Sequence, residues 1–296
     1  MASLATHFSA SLLLLPVGLR RLLYSYSLYL KSPSLFHSKL YYFSQPRYTN
    51  LDLYTLLLSL PIATFSLLFL FLTLSPSLSF PSYRFSFLFQ SQTIFLFWVL
   101  ILLFLARESV DSFFIPESFV FLLAGITFFA EYSATGYGFE GIAAVCYGLL
   151  GNLTLVCCGS CLILAIRPTA FFAEFGLCFG LLFKGTWLIQ SGLCLYTDVF
   201  ALKGCQKVVV SPPLPGSGGA MDVNCGLDDD RTRGVALMNL LFVGHAIGVL
   251  IVSFVTFGML AINRNSRCGE ASGPLLAQLE TESALTMRAH PEFELE

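Results

Sequence analysis

AFFAEFGLCFGLLFKGTWLIQSGLCLY, residues 170–196, is long enough to cross a bilayer and still carries Glu174, Lys184 and Gln190. Along a helix, steps of four put Gly176, Gly180 and Lys184 on one stripe, which Trp187 and Ser191 continue. The Gly176/Gly180 spacing is the small-xxx-small pattern through which membrane helices approach closely. Lys184 is therefore expected to face protein, and by helix rise it lies near mid-bilayer. An ammonium there needs an opposite charge from another segment. The expectation is a polytopic helical bundle.

Composition supports the same solvent. Of the 296 residues 56% are hydrophobic and 11% charged, against roughly a quarter charged in soluble domains. Mean hydropathy is +0.76, more than a water-soluble core can use. With a net charge of −2 and no basic stripe, nucleic acid is excluded as a partner. Thirty Phe and twelve Tyr suit lipid contact and interfacial belts. The fold class expected is all-α: a polytopic integral membrane protein with a seven-helix transmembrane bundle, partnered first by the lipid bilayer.

Seven spans are read at about 8–30, 53–74, 85–106, 118–134, 141–166, 170–196 and 234–262, within one domain over residues 1–264. The first is apolar from Ser9 to Leu19 and lacks a bracketing cleavage site, so a retained segment is expected rather than a cleaved leader. Arg20 and Arg21 are expected to snorkel to the headgroups and mark its exit. Pro61 is a candidate kink in the second span.

Seven spans put the termini on opposite sides. Arg20, Arg21, Lys31, Lys39, Arg47, Arg107, Arg167, Arg264 and Arg267 then gather on one side, and Arg84, Lys203, Lys207, Arg231 and Arg233 on the other. The positive-inside rule makes the first side cytosolic, with a non-cytosolic N-terminus and a cytosolic C-terminus. The non-cytosolic loop 197–233 contains SPPLPGSGG (Ser211 to Gly219), read as irregular linker, and the pair Cys205 and Cys225, expected to form a disulfide in an oxidising compartment. Residues 265–296 read as a disordered cytosolic tail, with Cys268 a palmitoylation candidate.

In this orientation His7, Gln90, Glu131, Lys184, Gln190, Asn239 and His245 mostly share the outer leaflet. Two readings stay open. One is a polar cavity that binds a small-molecule or lipid ligand or passes a proton; the other is interhelical hydrogen bonding worth on the order of 1 kcal/mol per bond. Glu131 is the natural partner for Lys184, because an unpaired charge at this depth neutralises rather than persists. His7 and His245 together fall short of the ligand set that zinc or haem wants, so no metal and no cofactor is assigned. Cys157, Cys158 and Cys161 lie in a membrane helix, where Cys packs as a small apolar residue. No nucleotide-binding, nucleophile-elbow or zinc-protease motif occurs, and no catalytic residue is assigned.

Three stretches together resemble the transmembrane protein 45 family, seven-span proteins of unassigned function in plants and animals. They are Thr6-His7 leading into the first span, Lys184-Gly185-Thr186-Trp187 with Gln190 and Gly192, and Ala236 to Gly248 with His245. The similarity is closest to plant members through YTDVF (Tyr196 to Phe200), GCQK (Gly204 to Lys207) and RGVALMNLLF (Arg233 to Phe242). It covers nearly the whole chain and rests on order and spacing rather than on a chemical signature. The resemblance implies a multi-pass protein of the endomembrane system or plasma membrane, with a loose link in plants to stress or viral response. Animal-like members carry His where this chain has Ser91, Glu131 and Ser133, so a His-based site does not transfer intact. Three functions are expected to compete. The first is a non-enzymatic protein binding or passing a small ligand, lipid or proton. The second is a membrane-embedded haem or metal redox protein using His7 and His245. The third is a scaffold or trafficking adaptor.

Overall fold

The computed structural model describes residues 3–43, 50–73, 81–109, 115–200, 202–210 and 219–288, without side chains at 81–84 and 265–288. Pro46 and Arg47, residues 211–218 of the expected linker, the Cys268 side chain and the tail beyond Arg288 therefore lie outside the described residues. The chain divides into two units, Met1–Ile251 and Val252–Glu296. The packing described below belongs to the first.

Among the described residues seven α-helices follow one another: α1 (Leu4–Lys31), α2 (Leu51–Thr73), α3 (Pro81–Ser109), α4 (Glu117–Ala134), α5 (Ile142–Ile166), α6 (Phe171–Tyr196) and α7 (Asp228–Arg288). Six of them, α2 to α7, contain stretches long and apolar enough to cross a membrane. The expected seventh, α1, has the length at 28 residues, but Arg20 and Arg21 interrupt its apolar run. Ser3 starts it by a reciprocal cap in which Thr6 N–H donates to Ser3 Oγ at 3.2 Å. Pro16 and Pro61 stay inside α1 and α2. Packed membrane helices tolerate such breaks.

α1 lies along α6, α6 along α5, α5 along α4, α4 along α3 and α3 along α2, and α2 returns to touch α1. α7 meets α6 through rings, Phe242 lying 4.6 Å from Phe183 and 5.1 Å from Trp187 between centroids. α6 is thus enclosed on several sides, and its glycines explain how. A Cβ at Gly176 would stand 2.7 Å from Ser160 Oγ, and one at Gly180 2.6 Å from Cys157 Sγ. The small-residue stripe therefore faces α5 at a separation that admits no larger side chain. Cys157 and Cys161 are buried in the packing between α5 and its neighbours.

The loop after α6 is not wholly irregular. β1 (Cys205–Val209) pairs antiparallel with β2 (Met221–Cys225), Cys205 opposite Cys225 and Val209 opposite Met221. The valines of the first strand favour extended backbone, and the Cys205–Cys225 disulfide joins the two ends of the hairpin. The hairpin also completes a helix. Gly141 precedes α5 and has no side chain with which to cap it. Buried Asp222 of β2 takes that role, accepting from Gly141 N–H at 2.8 Å and Ala143 N–H at 3.0 Å. A carboxylate at this position satisfies orphan donors and meets the positive end of the helix dipole.

At the opposite end, the expectation that Arg20 and Arg21 reach outward to headgroups is corrected. Both turn into protein. Arg20 donates to Asp52 Oδ1 at 2.6 Å, to Asn50 Oδ1 and to the Tyr42 carbonyl, with Tyr41 stacked 4.9 Å from its guanidinium. Arg21 reaches Glu174 on α6. The physical reason is position: α1 continues for three turns beyond the pair, so neither residue is at a helix end.

Removing the Asp222 cap tests the link between hairpin and bundle. Asp222→Ala should lower the thermal unfolding midpoint in detergent by the equivalent of about 1 kcal/mol, with Asp222→Asn, which keeps an acceptor, losing less. An Asp222→Ala protein that unfolds at the wild-type temperature would show that the cap contributes nothing.

Candidate functional site

Two ion pairs fix α6 between its neighbours. In the first turn of α6, the Glu174 side chain is fully buried, and its Oε2 accepts from Arg21 Nη2 at 2.7 Å and from Ser38 Oγ at 2.5 Å. Tyr42 O–H reaches Oε1 at 3.4 Å. Burial, and then the nearby Glu174 carboxylate, push the Tyr42 phenol well above its usual range, so it remains a donor. Arg21 is held in turn by the Leu40 carbonyl at 2.8 Å, and Ser38 N–H donates to the Pro168 carbonyl at 2.8 Å. The connection after α1 is thereby pinned over the start of α6.

Three turns along α6, Lys184 Nζ lies 2.5 Å from Glu131 Oε2 of α4 and 5.8 Å from the centre of the Phe128 ring. The two members are unequally covered: the Lys184 side chain is 4% exposed and that of Glu131 25%. The pair is closed on the α6 side and open on the α4 side. An ammonium removed from water in this way is stable only beside its counter-charge.

The remaining sequence-identified residues divide among separate surroundings. His7 is fully buried at the start of α1. Its Nδ1 faces the Ser3 carbonyl at 2.9 Å and its Nε2 the Tyr147 hydroxyl at 3.0 Å. His245 keeps Nδ1 on the Leu241 carbonyl of its own helix at 2.9 Å, its ring edge-on to Trp187. The two imidazoles thus meet different partners. Among the described residues, no three His, Cys, Asp or Glu side chains group as metal ligands. Gln90 donates to Ser86 Oγ one turn away at 3.3 Å. Gln190 is buried, with no partner for its Nε2 among the described residues. Asn239 is exposed on α7 beside a shallow cleft that Asp228 and Arg231 also line.

Sequence reasoning reaches the Lys184–Glu131 contact but misses Arg21, Ser38, Tyr42, Asp222 and Tyr147. The available signal for the first was Glu174 itself, an acidic residue on the same side of the expected topology as Arg21.

Six helices fit to cross a bilayer, with the buried charges of α6 neutralised by neighbouring segments, mark the chain as a multi-pass membrane protein. Residues 117–258, from the start of α4 into α7, match the model of a family of unknown function (DUF716). No curated protein matches the chain. The family match contains Glu131, Lys184 and His245 and leaves out α1 with His7 and Arg21.

The paired site makes a thermodynamic prediction. Removing one member of a buried pair typically costs about 3–5 kcal/mol, whereas replacing both by apolar residues is often nearly neutral. Lys184→Met and Glu131→Leu should each lower the detergent melting temperature, Lys184→Met less because Glu131 is partly hydrated once alone. The double variant should recover much of the loss. Strictly additive losses would show that the two charges are energetically independent.

Proposed function

We propose that this is a non-enzymatic seven-span membrane protein that binds a small polar ligand or lipid headgroup at the Lys184–Glu131 pair. The carrying observation is the asymmetry of that pair, an enclosed ammonium facing a carboxylate that stays partly accessible from α4. A purely structural pair gains nothing from such an opening, whereas an exchangeable counter-ion requires one. A ligand bearing an anionic group can share Lys184 with Glu131, and one bearing donors can bond the open edge of the carboxylate.

The reading extends to topology and kinship. α1 serves as the seventh span, its arginines being neutralised within protein by Asp52 and Glu174 rather than presented to lipid. The excess of Lys and Arg at the end of the bundle opposite the hairpin supports an N-terminus and hairpin facing the exterior or lumen. The Cys205–Cys225 disulfide supports the same orientation, in the endomembrane system or plasma membrane. The resemblance to plant members of the transmembrane protein 45 family belongs to this proposal.

Native mass spectrometry of protein released from lipid nanodiscs tests it, using vesicles that contain phosphatidylserine, phosphatidic acid, phosphatidylcholine and a glycolipid. Wild-type protein should retain one headgroup class at a one-to-one ratio. Glu131→Gln should change that retention at least tenfold while still folding. Equal retention of every lipid by wild-type and Glu131→Gln protein would contradict the proposal.

A further inference from the structure

Three helices bring sulfur into one cluster near the hairpin. Cys146 of α5 and Cys194 of α6 are hydrogen-bonded thiol to thiol. The Cys194 S–H donates onward to the Met238 thioether of α7 at 3.7 Å. All three residues are sealed from solvent, at 0%, 2% and 0% exposure, within the same apolar cluster as Val223 of β2. Each helix is fixed there by a separate contact. Asp222 caps the start of α5, Trp187 of α6 donates to the Cys146 carbonyl at 3.0 Å, and Phe242, one turn beyond Met238, packs on Trp187.

The donor chemistry of this set is narrow. Thiolate and thioether are soft ligands that select Cu(I), whereas structural zinc takes four ligands and calcium and magnesium take oxygen. Asp222 supplies no oxygen to a harder site, because its carboxylate accepts from the Gly141, Ala143 and Val223 N–H groups. The third donor is a thioether, so the set is distinct from any grouping of His, Cys, Asp and Glu alone. Metal–sulfur bonds of about 2.3 Å put the sulfurs of a three-coordinate site roughly 4 Å apart. The 3.7 Å between Cys194 and Met238 is close to that spacing.

We propose that Cys146, Cys194 and Met238 form a buried site for one Cu(I) ion, shared by α5, α6 and α7. Binding breaks both S–H bonds and forms two copper–thiolate bonds and one copper–thioether bond, and the two protons pass to solvent. Copper enters and stays as Cu(I), so no electron is transferred. The site goes from neutral to a charge of −1, which the Lys207 ammonium of β1 opposes from the side of Cys194. The Trp187 indole holds the turn of α5 that carries Cys146, as an outer contact orients a metal ligand. Cys194 lies ten residues along α6 from Lys184, about 15 Å by helix rise. The copper site therefore does not rest on ligand binding at the Lys184–Glu131 pair.

Cu(I) titration of the full-length protein in detergent tests this, with ascorbate under anaerobic conditions and a chromophoric Cu(I) chelator as competitor. Wild-type protein should take up one ion per chain, with X-ray absorption at the copper edge showing sulfur donors alone. Cys146→Ser and Cys194→Ser should each weaken binding at least a hundredfold. Met238→Leu, which keeps the volume and removes the thioether, should weaken it about tenfold and remove one sulfur from the spectrum. Cys157→Ala, outside the site, should bind as wild type does. Should a serine variant fail to fold, Met238→Leu and the wild-type spectrum still decide. Wild-type protein that takes up no copper would overturn the proposal, as would uptake unchanged in Met238→Leu or nitrogen and oxygen donors in the spectrum. A Cys146–Cys194 disulfide found by mass spectrometry in protein isolated without reductant would overturn it too, making the pair a covalent link.

Discussion

A charged side chain inside a membrane helix has no water to fall back on, and α6 carries two that are buried, Glu174 and Lys184. Each is neutralised by a different helix, Arg21 of α1 for the first and Glu131 of α4 for the second. The helix between them is packed so closely through Gly176 and Gly180 that a side chain at either position would strike α5. Electrostatic need therefore selects which helices surround α6, and small residues set how near they come. Because lipid tails are as apolar as the helix surfaces, hydrophobic burial alone would not choose among neighbours.

Both ends of the bundle are closed by non-helical chain that reaches into it. At one end Ser38 and Tyr42 add donors to Glu174, and Arg21 is held by the Leu40 carbonyl. At the other, Asp222 caps α5 from a disulfide-closed hairpin. Between the helices themselves, Trp187 of α6 donates its indole N–H to the Cys146 carbonyl of α5 at 3.0 Å. These polar contacts satisfy groups that would otherwise be stranded in an apolar interior. The Lys184–Glu131 pair is the exception in being partly open, which is why it is the centre of the functional proposal.

Much of this was legible in residues 170–196. The glycine stripe, the need of Lys184 for a counter-charge and the choice of Glu131 follow from helix periodicity and depth, because both are fixed by backbone geometry. Six of the expected spans follow from long apolar runs. What was not legible depends on long-range contacts or on where a helix ends. Asp222 caps residues about 80 positions earlier, and no local pattern announces such a cap. Arg21 reads as a terminal snorkelling residue until α1 is seen to continue to Lys31. The strands 205–209 and 221–225 are short, and the Pro-rich stretch between them masks the pairing of Cys205 with Cys225 as a strand register rather than a bare loop closure.

The central claim is that opposite charge, rather than shape, joins α1 to α6, and exchanging the charges between Arg21 and Glu174 tests it most directly. Thermal unfolding in detergent would be measured for Arg21→Glu, Glu174→Arg and the two together. Each single reversal sets like charges against one another in a buried site and should lower the midpoint sharply, while the exchanged pair should regain a large part of the loss. An exchanged protein no more stable than the sum of the single losses predicts, or single reversals that unfold like wild type, would contradict the account.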